Sequence, residues 1–152
     1  MTTPYLFVYG SLMSGITSPI ATYLKENSRF IGEGWVKGRL YDMGNYPGLV
    51  TDESTNTKVI GHIFQLDDPN EMLPNLDHYE CIGSDFSEPH QYRRETISVK
   101  TANQTFSCWA YLYNWDTQNL ALIESGNYLQ YFKENQRYQD FVRSLNDFSR
   151  NV

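Results

Sequence analysis

The stretch Tyr5-Leu6-Phe7-Val8-Tyr9-Gly10-Ser11-Leu12-Met13 constrains what this chain can fold into more than any other. Leu6, Phe7 and Val8 are consecutive, so apolar and polar residues do not alternate. A short continuous apolar run bounded by a turn signal reads as a strand buried on both faces. Gly10 lets the chain turn tightly at the strand end and leaves room for another group to approach the backbone. The N–H groups of Gly10, Ser11 and Leu12 could form a concave anion-binding nest there. The same residues also suit a core strand with an ordinary exit turn. The rest of the chain has to decide between the two.

A single domain over residues 1–152 is expected, and that length can bury a substantial core. With 40% apolar and 15% aromatic residues, the composition argues against disorder. Tyrosine is abundant, with 12 copies, and suits half-buried walls where a hydroxyl meets a polar ligand or water. The net charge of −6 disfavours general nucleic-acid binding and anionic-membrane binding; Arg93-Arg94 is the one basic cluster. No apolar run reaches membrane-spanning length, and the first residues lack a basic-then-apolar signal segment, so a soluble cytoplasmic protein is expected. Cys81 and Cys108 are too few for a disulfide framework or a zinc site and read as reduced thiols. His62, His78 and His90 share no ligand spacing with them, so no metal site is expected.

Ser18-Pro19 reads as a helix start, with Ser18 as N-cap, Pro19 in the first helical position and an end near Asn27. Phe30 to Met43 reads as extended, with Gly32, Gly34 and Gly38 suggesting bends of a curved sheet or small barrel. Strand, turn and strand follow over Tyr41 to Val50, then a strand over Lys58 to Leu66 in which Gly61 suggests another bend. Asp68-Pro69-Asn70-Glu71 is a helix N-terminus, and Leu73, Leu76 and Tyr79 supply its apolar face. Pro74 predicts a break in that helix. Two strands are expected over Tyr92 to Thr101 and Thr105 to Tyr113. An amphipathic helix is expected over Gln136 to Phe148.

Glu80 ends the run Leu76-Asp77-His78-Tyr79-Glu80. A carboxylate closing an apolar-faced segment is partly desolvated, which raises its pKa and suits it to take and return a proton near neutral pH. A solvated glutamate on a helix edge is the plain alternative. Asp77 reads as solvent-facing or as a local turn acceptor. Ser11 lacks a nucleophile elbow, and neither cysteine has a context that favours a thiolate. Gly10 to Gly15 lacks the ending of a phosphate loop. Trp109, Tyr111 and Tyr113 alternate on one face, either lining a pocket or packing.

Taken in order, six motifs resemble the gamma-glutamylcyclotransferase-like superfamily, with its gamma-glutamylamine cyclotransferases and plant avirulence-induced relatives. They are Tyr9-Gly10-Ser11-Leu12; Gly38-Arg39-Leu40-Tyr41-Asp42-Met43-Gly44-Asn45-Tyr46-Pro47-Gly48-Leu49-Val50; Val59-Ile60-Gly61-His62-Ile63-Phe64; Leu76-Asp77-His78-Tyr79-Glu80; Tyr92-Arg93-Arg94; and Ala110-Tyr111-Leu112-Tyr113. The resemblance covers roughly Tyr5 to Tyr113. It implies an α+β fold, a small mixed β-barrel flanked by helices, to which the C-terminal helix is an addition. It also implies a cyclisation in which the α-amine of a γ-glutamyl amine or peptide attacks its own γ-carbonyl, releasing 5-oxoproline. By the resemblance Glu80 is the catalytic glutamate, and Tyr9, Gly10, Ser11 and Leu12 cradle the substrate. Tyr41 and Tyr113 are further pocket-wall candidates. No cofactor or metal is implied, and the partner is a small γ-glutamyl substrate. The alternative is a relative that binds a small carboxylate or a protein without turnover. Many relatives carry glycine directly after the glutamate, where Cys81 stands here. If that position needs a positive φ, Cys81 is strained.

Overall fold

β1 (Tyr5–Val8) is flanked on both sides by strands. It pairs antiparallel with β4 (Lys58–Leu66) and parallel with β6 (Thr105–Tyr113). Leu6 and Val8 face one core, and Phe7 and Tyr9 face another. With a core on each face, the strand has no solvent side on which polar residues would be favoured. These coordinates are a computed structural model that describes residues 3–10, 12, 18–44 and 46–135.

The other strands are β2 (Ser28–Asp42), β3 (Pro47–Thr51), β5 (Tyr92–Lys100) and β7 (Ala121–Leu122). The sheet runs β3-β2-β4-β1-β6-β5, and β2 also pairs with β5 at Trp35 and Lys100. That last pairing closes β2, β4, β1, β6 and β5 into a five-stranded barrel, mixed because β1 and β6 are parallel. The fold is therefore the α+β barrel with flanking helices that the sequence predicts. Closure leaves no edge within the ring. β3 and β7 pair with the far end of β2, outside the ring.

The long β2 bends where its register with β4 shifts, between Phe30 and Gly32. Gly34 and Gly38, also expected at bends, are in regular register opposite Gly61 and Thr51. Gly61 is no bend either. A Cβ there would lie 2.4 Å from the Val8 carbonyl oxygen and 2.5 Å from the Phe7 ring, so it is the closeness of β1 that requires glycine.

Inside the barrel lie Phe7, Tyr9, Val36, Val59, Ile63, Val99, Cys108, Ala110 and Leu112. A second core joins the outer faces of β1, β4 and β6 to Leu24 of α1 (Pro19–Glu26) and to Met72, Leu73 and Leu76 of α2 (Pro69–Tyr79). Ser18 caps α1, accepting the Ala21 N–H at 3.1 Å, and Asp68 caps α2, accepting the Glu71 N–H at 3.3 Å. The expected break at Pro74 does not occur, and α2 runs through it. Pro74 and Asn70 are both exposed, so the Asn70 carbonyl that loses its helical donor can turn to water. Tyr79, expected on the apolar face, is 43% exposed. A third helix, α3 (residues 128–135), starts at Asn127, whose side chain accepts the Gln130 N–H at 3.1 Å. The helix expected over Gln136 to Phe148 lies outside the described residues. Among the described residues, no helix is long and apolar enough to cross a membrane.

Gly61→Ala is expected to destabilise the fold by about 1–3 kcal/mol, because the methyl group meets backbone that is itself in the sheet. Urea unfolding of the variant against the parent measures this; equal midpoints would show that β1 can shift to make room.

Candidate active site

The site is built where α2 stops. Glu80 is the C-cap, and Cys81 follows with φ +60°. The Cys81 N–H donates to the His78 carbonyl at 3.0 Å and the Ile82 N–H to the Asp77 carbonyl at 2.9 Å. These paired bonds form a Schellman motif, whose left-handed residue is usually glycine. Cys81 therefore occupies a positive-φ position, where a residue with a Cβ is strained. The motif turns the chain sharply and leaves Glu80 at the rim of a cavity of about 350 Å³.

The cavity lies at the C-terminal end of β1. Tyr9, Gly10, Leu12, Tyr46, Tyr79, Glu80, Cys81, Gln91, Tyr92 and Tyr111 are among the residues lining it. Its walls are held by hydrogen bonds to the backbone. The Tyr9 hydroxyl donates to the Tyr111 carbonyl and accepts the Leu49 N–H at 3.3 Å. The Tyr92 hydroxyl donates to the Pro47 carbonyl at 2.6 Å. Their rings are thereby locked, with both hydroxyls already partnered. Gly10 packs against Pro47, where a Cβ would lie 2.6 Å from the proline ring. The group that approaches the Gly10 backbone is thus the protein's own proline.

Burial pushes the half-buried Glu80 carboxyl up to about 7, and the neighbouring Asp77 carboxylate adds to the rise. Burial also raises Tyr9, Tyr92 and Tyr111 well above the ordinary phenol range, and the charge of Glu80 adds to each. These phenols stay neutral around a carboxyl that titrates near neutral pH. Such a carboxyl can both remove a proton from a bound group and return it. The Cys108 thiol, inside the barrel, is pushed up to about 12 by burial and is no nucleophile.

The structure brings Tyr9, Gly10, Leu12 and Glu80 to one cavity. Ser11 lies outside the described residues, so the nest of N–H groups is not assigned. Tyr41 and Tyr113 do not line the cavity. On β2 the inward place belongs to Leu40, so Tyr41 lies on the opposite face, hydrogen-bonded to Arg39. The Tyr113 ring is behind the wall, packed on Gly48 and edge-on to Tyr92 with centroids 5.8 Å apart. Asp77, expected in solvent or in a local turn, instead accepts Arg94 Nε at 2.7 Å, Arg94 Nη2 at 3.1 Å and the Tyr111 hydroxyl at 2.8 Å. Of the alternating Trp109, Tyr111 and Tyr113, for which sequence leaves lining a pocket or packing open, Tyr111 lines the cavity, and Tyr92, not singled out as a site residue by sequence, stands in one of the six motifs. Tyr46 and Tyr79 also lie within the motifs but carry no sign of facing the cavity, and Gln91 lies outside them, since their place depends on where separate loops meet.

The family model described as gamma-glutamyl cyclotransferase, AIG2-like, matches residues 6–130. The gamma-glutamylcyclotransferase family protein ytfP of Citrobacter rodentium is 33% identical over 125 residues, spanning 82% of this chain and 94% of that protein. The solution structure of ytfP from Escherichia coli is similar at 30% identity and TM-score 0.59, covering 82% of this chain and 96% of that one. An AIG2-like protein from Mus musculus shares the fold at TM-score 0.61 and 24% identity, covering 82% of this chain and 88% of that one.

Replacing Cys81 by glycine is expected to stabilise the protein by about 1 kcal/mol, by removing the left-handed Cβ penalty. Chemical denaturation of Cys81→Gly and Cys81→Ala checks this; the alanine variant, with the same Cβ, should show no such gain.

Proposed function

The chain belongs to the gamma-glutamyl cyclotransferase, AIG2-like family, and on that premise we propose that it cyclises γ-glutamyl amides, with Glu80 moving the protons. The observation that carries this reading is the half-buried Glu80 carboxyl lining an aromatic-walled cavity, where burial pushes it up to about 7. The α-amine of a γ-glutamyl group is largely protonated at neutral pH and must lose a proton to become nucleophilic. Ionised Glu80 takes that proton. The amine nitrogen attacks the γ-carbonyl carbon of the same molecule, and the carbonyl electrons move onto oxygen. Collapse of this intermediate breaks the bond to the leaving nitrogen, which receives the proton from Glu80; the ring nitrogen gives up its second proton through the same carboxylate to the departing amine, which leaves as the ammonium. The products are 5-oxoproline and a free amine or amino acid, and Glu80 returns to its starting state.

Two features favour this chemistry. The nucleophile and electrophile belong to one substrate, so a cavity that holds it folded supplies most of the proximity effect. A group with pKa near the working pH is suited to serve as base in one step and acid in the next. Tyr9, Gly10 and Leu12 form the wall against which the γ-glutamyl part rests, with Tyr92 and Tyr111 beside them.

Purified protein supplied with γ-glutamyl amines or dipeptides should release 5-oxoproline, and Glu80→Gln should reduce the rate at least about a hundredfold while the variant stays folded. Full activity in that variant would remove Glu80 from the mechanism. Binding of 5-oxoproline with no turnover of any γ-glutamyl compound would identify a non-catalytic relative.

The pH dependence has a definite sign. The base works when ionised and the substrate must bring the proton it removes, so log(kcat/KM) should rise with unit slope up to about pH 7 and fall again once the substrate's α-amine loses its proton in solution.

Stability moves the other way. An unfolded glutamate ionises near 4.5 and folded Glu80 near 7, so between them the folded state binds the extra proton. Stability then falls as pH rises through that window and stays lower above it. Glu80→Gln should therefore be the more stable protein at pH 8, by on the order of 2 kcal/mol, and match the parent near pH 4. Thermal melts at the two pH values measure this.

A further inference from the structure

Asp77 stands three residues before Glu80, which places both carboxyls on the same side of α2 where the helix ends. A second free carboxylate at this distance would compete for the substrate's ammonium group and oppose ionisation of Glu80. Asp77 is instead held by two side chains through three hydrogen bonds. The Arg94 guanidinium of β5 grips both of its oxygens, at 2.7 and 3.1 Å, and the Tyr111 hydroxyl of β6 donates to one of them at 2.8 Å. Arg94 is itself held over the Trp109 ring, 4.3 Å from its centroid. The side chains of Asp77 and Arg94 are only 21% and 23% exposed, so water screens the pair weakly. Tyr111 links this group to the cavity. Its ring lines the wall, its hydroxyl meets Asp77, and its carbonyl accepts the Tyr9 hydroxyl.

We propose that Arg94 is a positioning residue for the Glu80 carboxyl: by gripping Asp77 it offsets part of the charge of the neighbouring carboxylate and, through Asp77, fixes the Tyr111 wall. The role deepens the cyclisation reading and, as a role in catalysis, rests on it. The titratable groups facing Glu80 agree with this assignment. Tyr9 from the end of β1, Tyr92 from β5 and Tyr111 from β6 are phenols raised by burial, hence neutral through the working range. Tyr46, Tyr79 and Cys81 complete the titratable lining. Within this set the charge that acts on Glu80 from its own helix is Asp77, and Arg94 is the cation set against it.

The signature of this role is a pair of shifts in opposite directions. Arg94→Gln keeps a donor to Asp77 but removes the positive charge, so the Glu80 midpoint should rise. Asp77→Asn leaves Arg94 uncancelled, so the midpoint should fall. Each shift should be about half a unit or more, given charges at such short range. Arg94→Lys, which keeps the charge, should hold the parental midpoint.

The midpoint is read in two ways. One is a carbon NMR titration of the Glu80 carboxyl, assigned by the signal that Glu80→Gln removes, which needs no turnover. The other is the acidic limb of the pH profile for 5-oxoproline release. A merely structural Arg94 would lower stability and leave the Glu80 midpoint of Arg94→Gln at the parental value, and that result, or a midpoint that falls in this variant, would overturn the proposal. Should Arg94→Gln fail to fold, the double variant Asp77→Asn/Arg94→Gln decides: a midpoint above that of Asp77→Asn supports the role and an equal midpoint overturns it. Opposite NMR shifts in a protein that releases no 5-oxoproline would support Arg94 as the residue that sets Glu80 and would overturn the cyclisation reading alone.

Discussion

Everything in this molecule depends on β1 being buried twice. Phe7 and Tyr9 fill the barrel while Leu6 and Val8 hold the helices to its outside. Burying four such side chains on one short strand contributes several kcal/mol, at roughly 2 kcal/mol each. It also fixes position. A strand hydrogen-bonded on both sides and packed on both faces has no freedom to slide, because a one-residue slip would exchange the two cores. The residue at its end, Tyr9, inherits that precision. The Tyr9 ring occupies the barrel, and its hydroxyl bridges the Tyr111 carbonyl of β6 and the Leu49 N–H of β3. The rigid wall of the cavity is therefore an extension of the core and not a separate device.

The opposite wall is made in another way. Glu80 is carried by a helix terminus, and its direction comes from the Schellman turn at Cys81 and from the packing of Met72, Leu73 and Leu76 beneath it. Helix burial brings the carboxyl close to the barrel, where loss of water raises its pKa. The same loss of water costs stability once the group ionises, so the poise of this carboxyl and the stability of the fold oppose one another at neutral pH. Arg94 and Tyr111 keep Asp77 from making that cost larger. Buried polar groups near the cavity are thus partnered, as they must be where water is scarce.

Several elements were legible in the sequence because their causes are local. Ser18-Pro19 and Asp68-Pro69 announce helix starts through side chains that accept nearby N–H groups. The uninterrupted apolar run of β1 announces two-sided burial. Glu80 was legible through its apolar context and through the family motif that contains it. The errors also have local causes. Pro74 breaks the rule for helix interiors, but the carbonyl it strands is exposed, so the apolar face of α2 prevails. Gly34 and Gly61 read as bends because glycine alone does not distinguish a bend from a close crossing of strands. The resemblance puts Tyr41 among the pocket-wall candidates, yet strand alternation sends it to the face opposite Leu40.

By itself the sequence determined the kind of chain this is: the strand buried on both faces, the capped helices, the α+β barrel implied by six motifs in order, and the glutamate with its strained successor. Those features reside in short windows or in the order of windows, and both are visible without coordinates. Only the tertiary structure decided which tyrosines form the cavity, that Asp77 is gripped by Arg94 from a strand 17 residues away, and that Gly10 makes room for Pro47. The physical reason is that these contacts join residues far apart in the chain. They exist because the single pairing of β2 with β5 closes the barrel and brings the end of β1, the end of α2 and the aromatic faces of β5 and β6 around one space.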